Sequence, residues 1–190
     1  MKETIREFVL SLGAEVCGFA AVDRFCDAPE GFHPTDVFAQ CKTVIVFGAA
    51  LPKAVTKASP RIVYKHFNDL SLAELDRIAA KAALFIEQRT GGFALHVPCD
   101  GPYESWIAET MEGRGTVSMK HAAVLAGLGT LGKHTMLIHP RYGTLLNVGA
   151  VLTDLALLSD PLCEELCIPG CRKCIESCPV GAITEQGVSQ

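Results

Sequence analysis

A chain of 190 residues, 49% of them apolar, is long enough to bury one real core and carry an appendage. Its formal net charge of −4, with no basic block, argues against nucleic-acid binding through a phosphate-neutralising patch. No apolar run reaches the roughly 18 residues of a membrane span, and the acidic start Met1–Glu7 is unlike a signal peptide, so the nine cysteines read as metal and redox chemistry in a cytoplasmic protein rather than as disulfides.

Apolar positions Ile5, Phe8, Val9 and Leu12 predict a helix over residues 2–12, stopped by Gly13. Residues 15–22 read as a small apolar strand in which Cys17 is a core thiol. A loop follows over 23–42, where Thr35-Asp36 would cap a short helix reaching Gln40 and His33 is a secondary site candidate. Residues 42–50 (KTVIVFGAA) form the clearest strand, of the type buried on both faces. A helical pattern then runs from Arg61 to about Arg89, with a break expected near Asn68-Asp69 and a capping box at Ser71 and Glu74. Its buried face would be Leu75, Ile78, Ala79, Ala82, Phe85 and Ile86, and Gly91-Gly92 would end it.

Phe93–Val97 reads as the next strand. Residues 98–116 form a long turn-rich loop with the only tryptophan, Trp106, and with Cys99 and Asp100 as candidates for a cofactor edge. Ser118–Ala126 is helical and leads into Gly127-Leu128-Gly129-Thr130-Leu131-Gly132-Lys133-His134. This stretch contains a G-x-G-x-x-G and comes close to a phosphate-binding P-loop, but a helix precedes it and a strand follows, the reverse of what either nucleotide fingerprint needs. What remains is a glycine-rich backbone that another group can approach closely, with Lys133 beside it. Residues 136–139 and 144–153 read as two strands of one hairpin about Pro140–Gly143.

The strongest signal is at the end of the chain. Five cysteines fall at 163, 167, 171, 174 and 178, the core being Cys171-x2-Cys174-x3-Cys178-Pro179. Short spacings of this kind fold a backbone round a 4Fe–4S cube and aim several sulfurs inward, and proline after the last cysteine turns the chain away. Cys167, Cys171, Cys174 and Cys178 are the ligands expected, although Cys167-x3-Cys171 is one residue longer than the ferredoxin interval. Cys163 is a spare thiol, so whether it or Cys178 completes the set stays open, as does a structural zinc site. The organisation expected is an α+β domain over 1–158 and a cluster-binding segment over 159–190.

With these residues in hand, the chain resembles a known family. Lys120-His121-Ala122-Ala123-Val124-Leu125-Ala126-Gly127-Leu128-Gly129-Thr130-Leu131-Gly132-Lys133, then Leu137–Gly143, Leu152-Thr153-Asp154 and the cysteine run, resemble epoxyqueuosine reductase and its shorter relatives, with Lys42–Gly48 fitting the corresponding strand. The family is related to reductive dehalogenases. The resemblance implies a nitroreductase-like α+β domain with a mixed sheet between helices, holding cobalamin, and a ferredoxin-like module that feeds it electrons. It implies that Gly127, Gly129, Gly132 and Lys133 line the cofactor face. Two departures stand out: there is one cluster motif where the tRNA-modifying enzymes have two and a C-terminal RNA-binding extension, and the acidic proton donor of their Asp-x-Gly-Pro segment falls here at Gly113, with Glu112 beside it.

The function expected is therefore a 4Fe–4S redox protein passing low-potential electrons to a corrinoid or other cofactor for reduction of an unnamed substrate. The alternatives are a non-enzymatic electron carrier or corrinoid-protein reactivating partner, and a structural zinc protein. Cobalamin, a flavin or no cofactor remain open for the large domain. A redox partner protein is expected, and a homodimer would bring two clusters together.

Overall fold

The computed structural model describes residues 1–59, 61–109 and 112–188, with backbone alone at Glu112. Its centre is a four-stranded sheet made by β1 (Val16–Ala21), β2 (Thr43–Ala50), β3 (Ala94–Val97) and a strand late in the chain, β8 (Leu146–Thr153), in the order β1-β2-β8-β3. Every pairing in it is antiparallel, so the mixed sheet implied by the resemblance is replaced by an antiparallel one.

Alternation along β2 explains the layers. Val44 and Val46 point to one side, where they meet α4 (Met119–Leu125) through Ala122, Ala123 and Ala126. Ile45 and Phe47 point to the other side, against α1 (Lys2–Ser11) and α3 (Ile62–Thr90) through Ile5, Val9, Leu75, Ile78 and Ala82. A strand with both faces buried needs apolar residues on both sides, and Val44–Phe47 supplies them. Thr43 is buried at the strand's end because its hydroxyl donates to the Leu155 carbonyl at 2.7 Å and accepts from the Leu157 N–H at 3.0 Å.

Several sequence expectations change. The helix expected to break near Asn68 runs unbroken through α3, and Ser71 lies inside it with a buried hydroxyl that has no partner, not at a cap. The short helix α2 (Pro34–Val37) is capped by His33 rather than Thr35: the His33 ring nitrogen accepts from the Thr35 N–H, while Asp36 accepts from the His33 N–H at 3.0 Å. Proline at its first position, where an N–H is not needed, sets this start, and the helix ends at Val37, short of Gln40.

The expected 136–153 hairpin does not form. β7 (Leu137–Ile138) pairs instead with β6 (Thr130–Leu131), and only a His139–Gly143 bridge remains of the pairing across the turn. The reason is β8, whose Val148, Ala150 and Leu152 serve one core and Val151 the other, so it belongs at the sheet's centre. The loop 98–116 contains a small hairpin, β4 (Ser105–Ile107) with β5 (Glu112–Arg114). The remaining elements, α5 (Lys173–Glu176) and the pair β9 (Ile183–Thr184) and β10 (Gly187–Val188), belong to the cysteine segment. Among the described residues no helix is long and apolar enough to cross a membrane.

Glycine 18 on β1 lets the end of α4 press directly on the sheet, since a Cβ there would fall on the Ala126 carbonyl oxygen. Backbone cannot swing aside as a side chain can, so Gly18→Ala should destabilise the fold by about 1–3 kcal/mol. A lowered urea midpoint with an unchanged m-value would confirm this, and an unchanged midpoint would refute it.

Candidate functional site

The glycine loop begins where α4 ends. Gly127 has φ +77° and stands against Pro161, whose carbonyl a Cβ would strike. Gly129 lies in the same way against the Ile138 carbonyl across the β6–β7 hairpin, and Gly132 lies against the His134 ring. The closeness that the sequence suggested is real: at these positions the chain's own backbone and the His134 ring are the near neighbours.

The chain leaves β8 and is then sewn back onto the domain. Asp160 accepts from Lys2 Nζ at 2.7 Å, from Arg6 Nη2 at 2.9 and 3.0 Å, and from the Phe19 N–H at 2.9 Å. Arg6 also donates to the Cys17 carbonyl. Arg24 Nη1 donates to the carbonyls of Leu125 and Asp160 at 2.6 and 2.8 Å, and Ser159 accepts from the Ala21 N–H at 2.8 Å. A second stitch follows: Thr130 donates to Glu165 at 3.1 Å, Leu166 N–H donates to Thr130, and Cys167 N–H donates to Glu165 at 2.7 Å.

The cysteine segment thus starts from a fixed point. Cys163, Cys167, Cys171, Cys174 and Cys178 are all half-buried. Gly170 and Gly181, with φ +73° and +67°, supply two of its turns, a conformation that favours glycine. Backbone N–H groups of Val180 and then Ile183, with those of Ala182 and Gly181, face the Cys178 sulfur and hold its pKa below the ordinary thiol value. Lys133 reaches over from the glycine loop, donating to the Cys171 carbonyl at 3.1 Å and pairing with Glu185 at 2.7 Å, and Arg172 meets the same Glu185 at 2.6 Å. Lys133, named from the sequence as a cofactor-face residue, joins the glycine loop to the cysteine segment.

Among the described residues no three His, Cys, Asp or Glu side chains form a group able to hold a single metal ion. The donor set nonetheless suits an iron–sulfur cube. Soft thiols lie on one short, partly accessible segment, and N–H groups at one sulfur are the kind of contact that stabilises a thiolate ligand.

A cavity of about 430 Å³ opens on the other side of the β6–β7 hairpin, within the range of small-molecule sites. Leu72, Val117, Leu137, Leu146 and Val148 make it apolar, and Asn68, Asp100, Ser118 and Lys120 supply polar groups. Gly115 lines it with nothing within 4 Å of the place a Cβ would take, so a flat ligand can approach the backbone there. Both loop candidates, Cys99 and Asp100, are in its wall. Burial, and then the hydrogen bond and charge of Asp76, raise the Cys99 pKa so far that it keeps its proton. His33 lines none of the cavities described and serves as the cap of α2. The sequence reading missed Asp160 and Glu165 altogether. Their signal is weak, because an isolated acid after a strand gives no hint that two distant cations await it.

Burial alone would push the Asp160 carboxyl up, but Lys2 and Arg6 outweigh it and hold its pKa below the ordinary carboxylate value. A carboxyl lowered on folding contributes stability that is whole above its unfolded pKa and is lost as pH falls through its lower native value. Asp160→Asn should therefore cost about 1.5–3 kcal/mol at neutral pH, and the difference from the parent chain should close as the medium is acidified through the lowered native value. Urea melts over that pH range test it; a gap that persists unchanged at the acid end would count against the ion-pair account.

No protein-family model matches the chain. Individual relatives do. Epoxyqueuosine reductase of Listeria monocytogenes is 23% identical over 204 residues, covering 98% of this chain and 53% of its own length. Tetrachloroethene reductive dehalogenase of Desulfitobacterium hafniense is 29% identical over 178 residues, covering 92% of this chain and 28% of its own. The chain thus spans about half the length of the reductases it matches and little more than a quarter of the dehalogenase. In three dimensions it superposes on epoxyqueuosine reductase of Streptococcus thermophilus with a TM-score of 0.68 at 18% identity, over 99% of this chain and 55% of that one. In sequence the chain is thus similar to epoxyqueuosine reductases and to reductive dehalogenases, and its fold is that of their solved structures.

Proposed function

We propose that this chain is a redox protein in which Cys167, Cys171, Cys174 and Cys178 hold a 4Fe–4S cluster and in which the 430 Å³ cavity receives the group it reduces, a corrinoid. The supporting observation is the position of the β6–β7 hairpin. Leu131, Gly132 and Lys133 on it face the cysteine segment, while Met136 and Leu137 line the cavity. The two sites thus share one hairpin as a common wall.

When bound, a cluster supplies one-electron transfer at low potential and a corrinoid supplies the reduction chemistry. The chain's own residues do the rest. The four cysteines would bind as thiolates, the Val180 and Ile183 N–H groups favour that state at Cys178, and Lys133 brings positive charge near Cys167. The apolar cavity floor excludes water, and Gly115 leaves its backbone open to a flat ring. In this reading 1–158 is a nitroreductase-like cofactor domain, 159–190 is a ferredoxin-type segment, and a cytoplasmic redox partner protein refills it.

One observation favours a second reading, an electron carrier without its own substrate. Gly113, at the position of the family's proton donor, is on β5 with the Trp106 ring against it, and glycine itself has no proton to give.

Protein purified without oxygen should contain about four irons per chain. Cys171→Ala should remove the iron and the visible absorbance, while Cys26→Ser, an exposed thiol outside the segment, should keep both. Zinc in place of iron would overturn the redox reading and leave a structural tail. Separately, Gly115→Val should lower corrinoid retention, read from bound cobalt, without changing iron content; equal cobalt in both proteins would remove the corrinoid from this cavity.

A further inference from the structure

A second cavity, of about 340 Å³, lies on the far side of residues 117–118 from the first, and Val117 and Ser118 line both. Its walls are apolar and partly aromatic: Phe25 and Phe32 on one side, Val124 and Leu125 of α4 on the other. None of its lining residues belongs to the cysteine segment, and the redox reading gives it no role.

Arg24 gives this cavity its chemistry. Its Nη1 is fixed by two backbone carbonyls, those of Leu125 and Asp160, so the guanidinium is held in one place. No carboxylate pairs with it among the described residues, and its other nitrogens are neither bonded nor fully buried. A half-buried guanidinium held at the wall of an apolar cavity, with donors to spare, is a ready receptor for an anionic group. Arg114 stands over the Phe32 ring at 5.9 Å, adding positive charge near the same wall. Asp27 also lines the cavity, but it is exposed, where water screens it. The Ser118 hydroxyl and His121 Nδ1 bond each other at 2.7 Å and add a polar edge.

We propose that this cavity binds a small carboxylate with a flat apolar body, its carboxylate on Arg24 and its body between the phenylalanines and α4. The binding claim stands without any cofactor. A molecule bound here would be across a two-residue wall from the cavity assigned to the reduced group, and, where the redox reading holds, it is the substrate class that reading lacks.

The test uses phenylacetate as probe and phenylacetamide as its neutral match, titrated into the whole chain and followed by calorimetry. Phenylacetate should bind about tenfold or more tightly than the amide, because only it offers a charge to Arg24. Arg24→Gln should erase that preference. Since Arg24 also braces two carbonyls, Val124→Trp provides a second variant: it fills the cavity from α4 without touching Arg24, and should abolish binding while the urea midpoint stays close to that of the parent. Absence of phenylacetate binding, equal affinity for acid and amide, or undiminished binding by the Val124→Trp chain would each overturn the proposal. Binding that persists in the iron-free Cys171→Ala chain keeps the two readings separate, because failure of the cluster then leaves this site intact.

Discussion

Asp160 is the constraint from which the rest of the arrangement follows. One carboxylate gathers Lys2 and Arg6 from α1 and the Phe19 N–H from β1, while its own carbonyl takes Arg24. Ion pairs on a surface contribute little, but this one is partly buried and fully hydrogen-bonded, and it fixes the backbone immediately before the first cysteine. Gly127 makes the neighbouring contact possible by leaving room for Pro161. The cysteine segment therefore does not hang from the domain by a free linker. It leaves from a clamped point, is clamped again by Thr130 and Glu165, and is met by Lys133 from the same loop.

Much of the fold was legible because burial imposes a period. Residues 42–50 read as a doubly buried strand, which the structure has over Thr43–Ala50 with 43–48 buried, and the 75–86 helical stripe faces the core as expected. The errors came where local patterns competed with distant partners. Ser71 and Glu74 have the look of a cap, yet a helix already stabilised by packing at its far half runs straight through them. Residues 144–153 look like half of a hairpin, but a strand apolar on both faces is drawn to the sheet's centre. Of the site, the cysteines were plain from spacing alone. The cavities were not, because their walls come from residues as far apart as Asn68, Gly115 and Val148, which only the topology brings together.

The glycine loop shows what its motif does inside the chain itself. Its glycines signal close approach, and the approach is there, but the partners are Pro161 and Ile138 of the same chain. The loop works as a partition. One side of its hairpin supports the thiols and the other supports the cavity wall, so any change that shifts the hairpin is felt at both places at once.

The buried cysteines carry a consequence for the chain's life in the presence of oxidants. Cys17, Cys41 and Cys99 are enclosed; burial raises the Cys17 pKa to about 12 and the Cys41 pKa to about 11, and Cys99 is pressed against Gly149 of the central strand. Thiols without thiolate character and without access react slowly with peroxide or alkylating agents. The remaining six are at least partly open to solvent. Sulfur chemistry in this molecule is therefore divided in space, with a core that is shielded from oxidants while Cys26 and the tail meet them first.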